Sequence, residues 1–178
     1  GITGLGIGAW SNEASFIARG TLGDLDDDNV ALQVEIRPID VAFTNTVSVT
    51  SSYAAAGTQR SVTVTFPSGT QQFHWQARAI DIQGRTSAWT SFGGNSDGAP
   101  PGTPAARDVG RDIAGPSVAT STPTTLTTYT TAVSPISFTG TATDVLSGIS
   151  LVTWANSATG FGGTATGTTS WSVPSISL

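Results

Sequence analysis

The segment Phe73–Trp89, FHWQARAIDIQGRTSAW, constrains the fold more than any other part of this chain. Phe73, Trp75, Ala77 and Ala79 fall on one side of an extended backbone, and His74, Gln76, Arg78 and Ile80 on the other. This two-residue period marks a half-buried β-strand. Asp81-Ile82-Gln83-Gly84 supplies a turn in which Gly84 can take positive φ, and Thr86–Phe92 returns as a second strand. A paired edge of this kind closes a β-sandwich and points to a display module rather than an enzyme.

The rest of residues 1–94 repeats the pattern. Strands are predicted over roughly Ile2–Trp10, Ala14–Leu22, Val30–Ile39, Thr46–Tyr53, Arg60–Phe66, Gln72–Ile80 and Thr86–Phe92, separated by Gly, Asn and Asp turns. Val30, Leu32, Val34 and Ile36 alternate with Ala31, Gln33, Glu35 and Arg37, which predicts one face in the core and one in water. No segment sustains a helical period. The span suits a single seven-strand sandwich.

Residues 95–116 change character: Pro100, Pro101, Pro104 and several glycines break any period, and the segment is expected to be an extended linker. Arg107, Asp108, Arg111 and Asp112 are expected at most to pack against a domain end. The β signature resumes over residues 117–178. Pro135–Thr143 and Ile149–Ala155 read as facing strands about a Ser147-Gly148 turn, and further strands are predicted over Thr164–Ser172 and Val173–Leu178. The Thr-rich run Thr120–Thr131 reads as an edge strand or a hydroxyl-lined loop. The expected fold is therefore all-β: two tandem sandwiches, residues 1–94 and 117–178, joined by a Pro/Gly-rich linker.

Composition narrows the function. With 7 Arg and no Lys against 12 acidic residues, the chain carries a net charge of −5, which argues against a nucleic-acid partner. The absence of Cys removes disulfides, thiolate metal sites and Cys nucleophiles together. The absence of Lys excludes a Lys–Asn amide staple. No 18-residue apolar run is present, so no membrane insertion by a helix is expected. The chain lacks Met and reads as a piece of a longer exported protein.

Residues 14–94 resemble a fibronectin type III-like module of large bacterial secreted proteins, through Gly23-Asp24-Leu25-Asp26-Asp27-Asp28, VALQVEIRP and FHWQARAIDIQGRTSAW. The resemblance implies a tyrosine corner, but Phe73 stands where the family has Tyr, so the corner must rest on packing or another donor. The second region is similar to a bacterial Ig-like domain, through Gly140-Thr141-Ala142-Thr143-Asp144, Gly148-Ile149, VTWANSATG and GTATGTTSW. In that family a further hairpin follows, so residues 117–178 are expected to lack their last strands. Together the resemblances imply an extracellular or cell-surface location and a structural, adhesive role. Two alternatives stand beside it: a subunit of a filament assembled by strand donation, with Ile2–Trp10 as the candidate donor, and an accessory region of a secreted hydrolase. The expected partners are other domains of the same protein or neighbouring subunits.

Candidate chemistry is sparse. Asp24, Asp26 and Asp28 cluster short carboxylates that can supply oxygen ligands to Ca²⁺; the competing reading is that they only build the turn. The sequence requires no cofactor, calcium being the one it could accommodate, and Asp81 and Asp144 read as turn residues. His74 is the only His and is expected on the polar surface, with no nucleophile elbow. Glu35 is expected on an outer face, paired with Arg78 or Arg37. Trp75 and Trp154 are expected in the core, Trp89 and Trp171 in the core or exposed. A sugar platform would need coplanar exposed rings, which no sequence pattern here supports.

Overall fold

The computed structural model describes residues 4–69, 71–94 and 106–178. The chain divides into two compact units, Gly1–Ile113 and Ala114–Leu178. Both are all-β; apart from one short 3-10 turn at Phe92–Gly94, no helix occurs among the described residues, and none is long and apolar enough to cross a membrane.

Unit 1 contains β1 (Ala9–Ser11), β2 (Ser15–Thr21), β3 (Asn29–Pro38), β4 (Val49–Thr50), β5 (Ala54–Ala55), β6 (Gln59–Thr65), β7 (Gln72–Asp81), β8 (Thr90–Ser91) and β9 (Val109–Arg111). One sheet runs in the order β1-β9-β7-β3-β4, with β5 also on β3 and β8 also on β7, while β2 and β6 form a second sheet. All pairs are antiparallel except β1 with β9. The alternating apolar residues dictate the packing. Phe16 and Ala18 from β2, with Val62, Val64 and Phe66 from β6 and just after it, meet Leu32, Val34, Ile36, Phe73, Trp75 and Val109 in one core. Each such large side chain contributes about 1.5–3 kcal/mol on burial.

The hairpin at Phe73–Trp89 forms, in a modified way. The turn closes through Gly84 N–H to the Asp81 carbonyl (3.1 Å) and Asp81 N–H to the Arg85 carbonyl (3.0 Å), with Gly84 at φ 85°. The return strand shortens to an Ile80–Thr86 bridge and β8, which pairs with Gln76 and Ala77. Further along, the same edge of β7 is taken by β9, at Gln72 and Phe73. Between the two, the buried Asp108 carboxylate accepts the Trp75 amide at 2.9 Å, a side chain standing in for a missing strand carbonyl.

Strand β9 corrects the linker expectation. Residues 95–105 lie outside the described residues, but 107–112 belong to unit 1. Arg107 donates to the Gly8 carbonyl and covers the Trp10 ring at 4.1 Å, and Gly110 faces Trp10 across the β1–β9 pair. A Cβ on Gly110 would lie 2.2 Å from the Trp10 ring, so the ring lies flat on backbone that only glycine leaves open. Of the candidate donor Ile2–Trp10, Ala9 and Trp10 are in β1 and Leu5 packs against the core. The described part of this segment is therefore an element of its own unit.

Unit 2 contains β10 (Ser117–Thr122), β11 (Ile136–Thr143), β12 (Thr153–Ala155), β13 (Gly162–Thr164), β14 (Thr166–Gly167) and β15 (Ser170–Ile176). One sheet runs β10-β11-β15-β14; the other is the pair β12–β13. The expected β11–β12 hairpin does not form, because Asp144 captures the amides of Leu146 and Gly148 and turns the chain away from β11. The core is small: Ala142, Ala165, Trp171 and Val173 are buried, and Phe138, Ile149, Val152, Trp154 and Ile176 are only partly covered.

Candidate functional site

Two groups of polar side chains in unit 1 hold the titratable residues that the sequence singles out. The first is the acidic turn between β2 and β3. Asp24 accepts the Asp26 amide at 3.1 Å, and Asp27 takes a left-handed φ of 58°. This local geometry brings carboxylate oxygens of Asp24, Asp26 and Asp28 within 4.8 Å of one another, close enough to share a cation. Arg85, which the sequence reading did not connect to this turn, already supplies a positive charge there. Its Nη2 donates to Asp26 at 3.1 Å and Asp28 at 3.2 Å, and its Nε donates to Asp81 at 2.6 Å. Ca²⁺ fits the donor set by chemistry but would compete with Arg85 for two of the three carboxylates.

The electrostatics follow from these bonds. A hydrogen bond with Asp26 pushes the Asp24 carboxyl above its ordinary range. The same bond, then Arg85, holds Asp26 below it. Burial raises Asp81, but the Arg85 amide and guanidinium outweigh it, so Asp81 stays below the ordinary carboxylate range. The turn is thus an Arg-centred acidic knot joining the β2–β3 and β7–β8 turns.

The second group lies on the face of the β3–β7 sheet turned away from the core. Glu35 and His74, both expected at the surface, are fully buried there. The reason is a covering loop, residues 39–48, whose apolar and hydroxyl residues lie over this face. Phe43 stacks on the His74 ring with centroids 4.1 Å apart, and His74 Nε2 donates to the Val41 carbonyl at 2.8 Å. Glu35 Oε1 accepts Arg37 Nε (2.8 Å), the Thr44 amide (2.9 Å) and the Thr44 hydroxyl (3.1 Å). Its Oε2 accepts Gln76 Nε2 at 2.7 Å, and Gln76 also donates to Asn45. Burial alone raises the Glu35 carboxyl; the Thr44 amide, Arg37, Gln76 and the Thr44 hydroxyl together bring it below the usual range. Of the two partners expected for Glu35, Arg37 is the one it meets; Arg78 instead donates to Gln33 and covers Trp89 at 4.6 Å.

These groups do not converge on a reacting position. Both oxygens of Glu35 and both of Asp81 are taken by the chain's own donors. Arg107 covers Trp10 and Arg78 covers Trp89, Trp75 and Trp171 are buried, and Trp154 is partly buried against the unit 2 core. The chain matches no known family model, no curated protein and no solved structure.

Proposed function

We propose that this chain is a non-catalytic structural and adhesive segment of an exported bacterial surface or extracellular protein, built from a fibronectin III-like and an Ig-like sandwich in tandem. One observation carries the reading. The buried and half-buried polar groups of unit 1 spend their hydrogen bonds on tying loops and turns to sheets. Glu35 anchors the 39–48 loop, Asp81 and Arg85 anchor the acidic turn, and Asp108 anchors β9. The same donors and acceptors in an enzyme would face substrate. The strand order β1-β9-β7-β3-β4, sharing its core with β2–β6, supports the sandwich assignment for unit 1.

The test is mechanical. Held between handles in a force-spectroscopy experiment, the intact chain should unfold in two separate events. They should release roughly 400 Å and roughly 230 Å at about 3.5 Å per residue, following the division after Ile113. A panel of ester, peptide and glycoside substrates should show no turnover. Turnover that disappears on Glu35→Gln or His74→Gln would replace this reading with a hydrolytic one.

A further inference from the structure

One strand pair in unit 1 departs from the rest. Among the described residues every pair is antiparallel except β1 with β9, which runs parallel in the register Ala9–Val109, Trp10–Gly110 and Ser11–Arg111. These are the first and last strands described in the unit. In a parallel pair the start of one strand lies beside the start of the other. Tension along the chain enters unit 1 through the residues before Ala9 and leaves through those after Arg111. It therefore draws the two strands past each other along their own axes. Every tie between them is strained at once, whereas a pair pulled apart from one end gives up its bonds one at a time.

The short pair is tied at both ends and from the side. Gly8 N–H donates to the Asp108 carbonyl and Asp112 N–H to the Ser11 carbonyl, each at 2.8 Å. Arg107 sends Nε (3.0 Å) and Nη2 (2.6 Å) to the Gly8 carbonyl and lays its guanidinium over Trp10. At the other end Arg111 Nε donates to the Glu13 carbonyl at 3.1 Å. Two arginines on the β9 side thus grip the backbone on the β1 side, and hydrogen bonds from a charged donor are the stronger kind. The pair is fixed to the body of the unit through β9. Asp108 N–H donates to the Phe73 carbonyl at 2.9 Å and Arg111 N–H to the Gln71 carbonyl at 2.8 Å, beside the long β3–β7 ladder. Strand β1 pairs with β9 alone among the described strands, so tension on β1 reaches the main sheet through β9.

We infer that β1 and β9 form a directional clamp, which holds unit 1 shut against tension along the chain and yields at lower force when the same pair is opened from one end. Gly110 and Arg107 resist sliding. The Trp10 ring lies against the β9 backbone at Gly110, with Arg107 over the same ring, so the strands cannot slip past each other without breaking both contacts. The inference rests on the structural role proposed above and gives that role a direction.

The chain has no cysteine, so a pair of introduced cysteines gives unique handles for constant-force unfolding of the full chain. Gly6→Cys with Ile113→Cys puts the handles at opposite ends of the β1–β9 pair. Gly6→Cys with Ala106→Cys puts them at the same end. All three positions are exposed, and both tethers leave unit 2 outside the pulled segment. Forced unfolding reads the unfolding rate. At one force, unit 1 should unfold at least about tenfold more slowly in the first geometry, the rate equivalent of one charge-assisted hydrogen bond that must break together with its neighbours. Arg111→Gln removes a tie at the far end from the Gly6 and Ala106 handles. It should speed unfolding several-fold in the first geometry and leave the second unchanged. Arg107→Gln should speed the first geometry about tenfold, by the same equivalence. Equal rates in the two geometries overturn the inference. So does an Arg111→Gln effect of the same size in both, which would make that bond an ordinary contribution to stability. Substrate turnover would remove the structural role and leave the directional difference standing, whereas equal rates would remove the clamp and leave that role.

Discussion

Removing the Glu35 carboxylate tests whether the buried polar face, rather than the apolar core alone, holds the 39–48 loop in place. Glu35→Ala leaves the Thr44 amide without its acceptor and Gln76 with only Asn45, both beneath the loop. It also leaves the Arg37 guanidinium with the Thr44 hydroxyl alone. Each stranded buried donor costs about 1–3 kcal/mol. Breaking a fully buried pair costs about 3–5 kcal/mol, but Arg37 is 29 % exposed and can turn to water, which puts the loss at the low end, about 3 kcal/mol. For a unit of this size that lowers Tm by about 10 °C. Glu35→Gln keeps one acceptor but sets an NH₂ group against donors, and should cost about half as much.

Calorimetry should show the shift in the unit 1 transition only, and exchange at the Thr44 amide should quicken. The pH dependence has a fixed sign. The Glu35 carboxyl lies lower in the folded chain than in the unfolded one, so its stabilisation is complete above the ordinary carboxylate range. It fades as pH falls through the depressed folded value. Glu35→Gln should flatten that acid limb. A Tm change under about 2 °C for Glu35→Ala, with Thr44 exchange unaltered, would refute the argument and leave the loop held by Phe43 and apolar contacts.

Two further outcomes follow from geometry. Gly110→Ala drives a methyl into the Trp10 ring and should displace it from Arg107; loss of the Trp10 near-UV circular dichroism signal, with a lower unit 1 Tm, is the check. Calcium at millimolar concentration should leave the Tm unchanged, because Arg85 already holds Asp26 and Asp28; a rise reversed by chelator would mean that the cation displaces the guanidinium.

The strands that form the core were legible because their signal is local. β2, β3, β6 and β7 each alternate over seven residues or more, and all appear within about two residues of the expected bounds. Short edge strands were not. β4 shrinks to Val49–Thr50 because Ser48 and Ser51 hydroxyls take the adjacent β3 amides of Ile36 and Leu32 in place of backbone carbonyls. β9 hides in a Pro/Gly-rich stretch because its anchor is long-range: Asp108 meets Trp75, and Gly110 meets Trp10. A glycine paired with a tryptophan across strands recurs at Gly140–Trp171 and Gly163–Trp154. In hindsight it is the one sequence signal that marks where aromatic rings lie on bare backbone. The Asp24–Asp28 cluster was legible from its spacing, but Arg85 was not, since 57 residues separate it from Asp28.

Burial of His74 and Glu35 went unread for a deeper reason. Alternation tells which residues share a face, not whether that face meets water. In unit 1 the polar face of β3 and β7 is roofed by the 39–48 loop, and its polar residues survive burial because each reaches a partner on the loop or an adjacent strand. Unit 2 solves the opposite problem with the opposite composition. It has one charge and a small core whose surrounding apolar side chains are only partly covered. A face built of Glu, Gln, Arg and His can be closed by a loop of the same chain, because hydrogen bonds fix the loop at each step. A face built of Val, Trp and Leu gains most from a strand, which covers apolar side chains and pairs backbone groups at once.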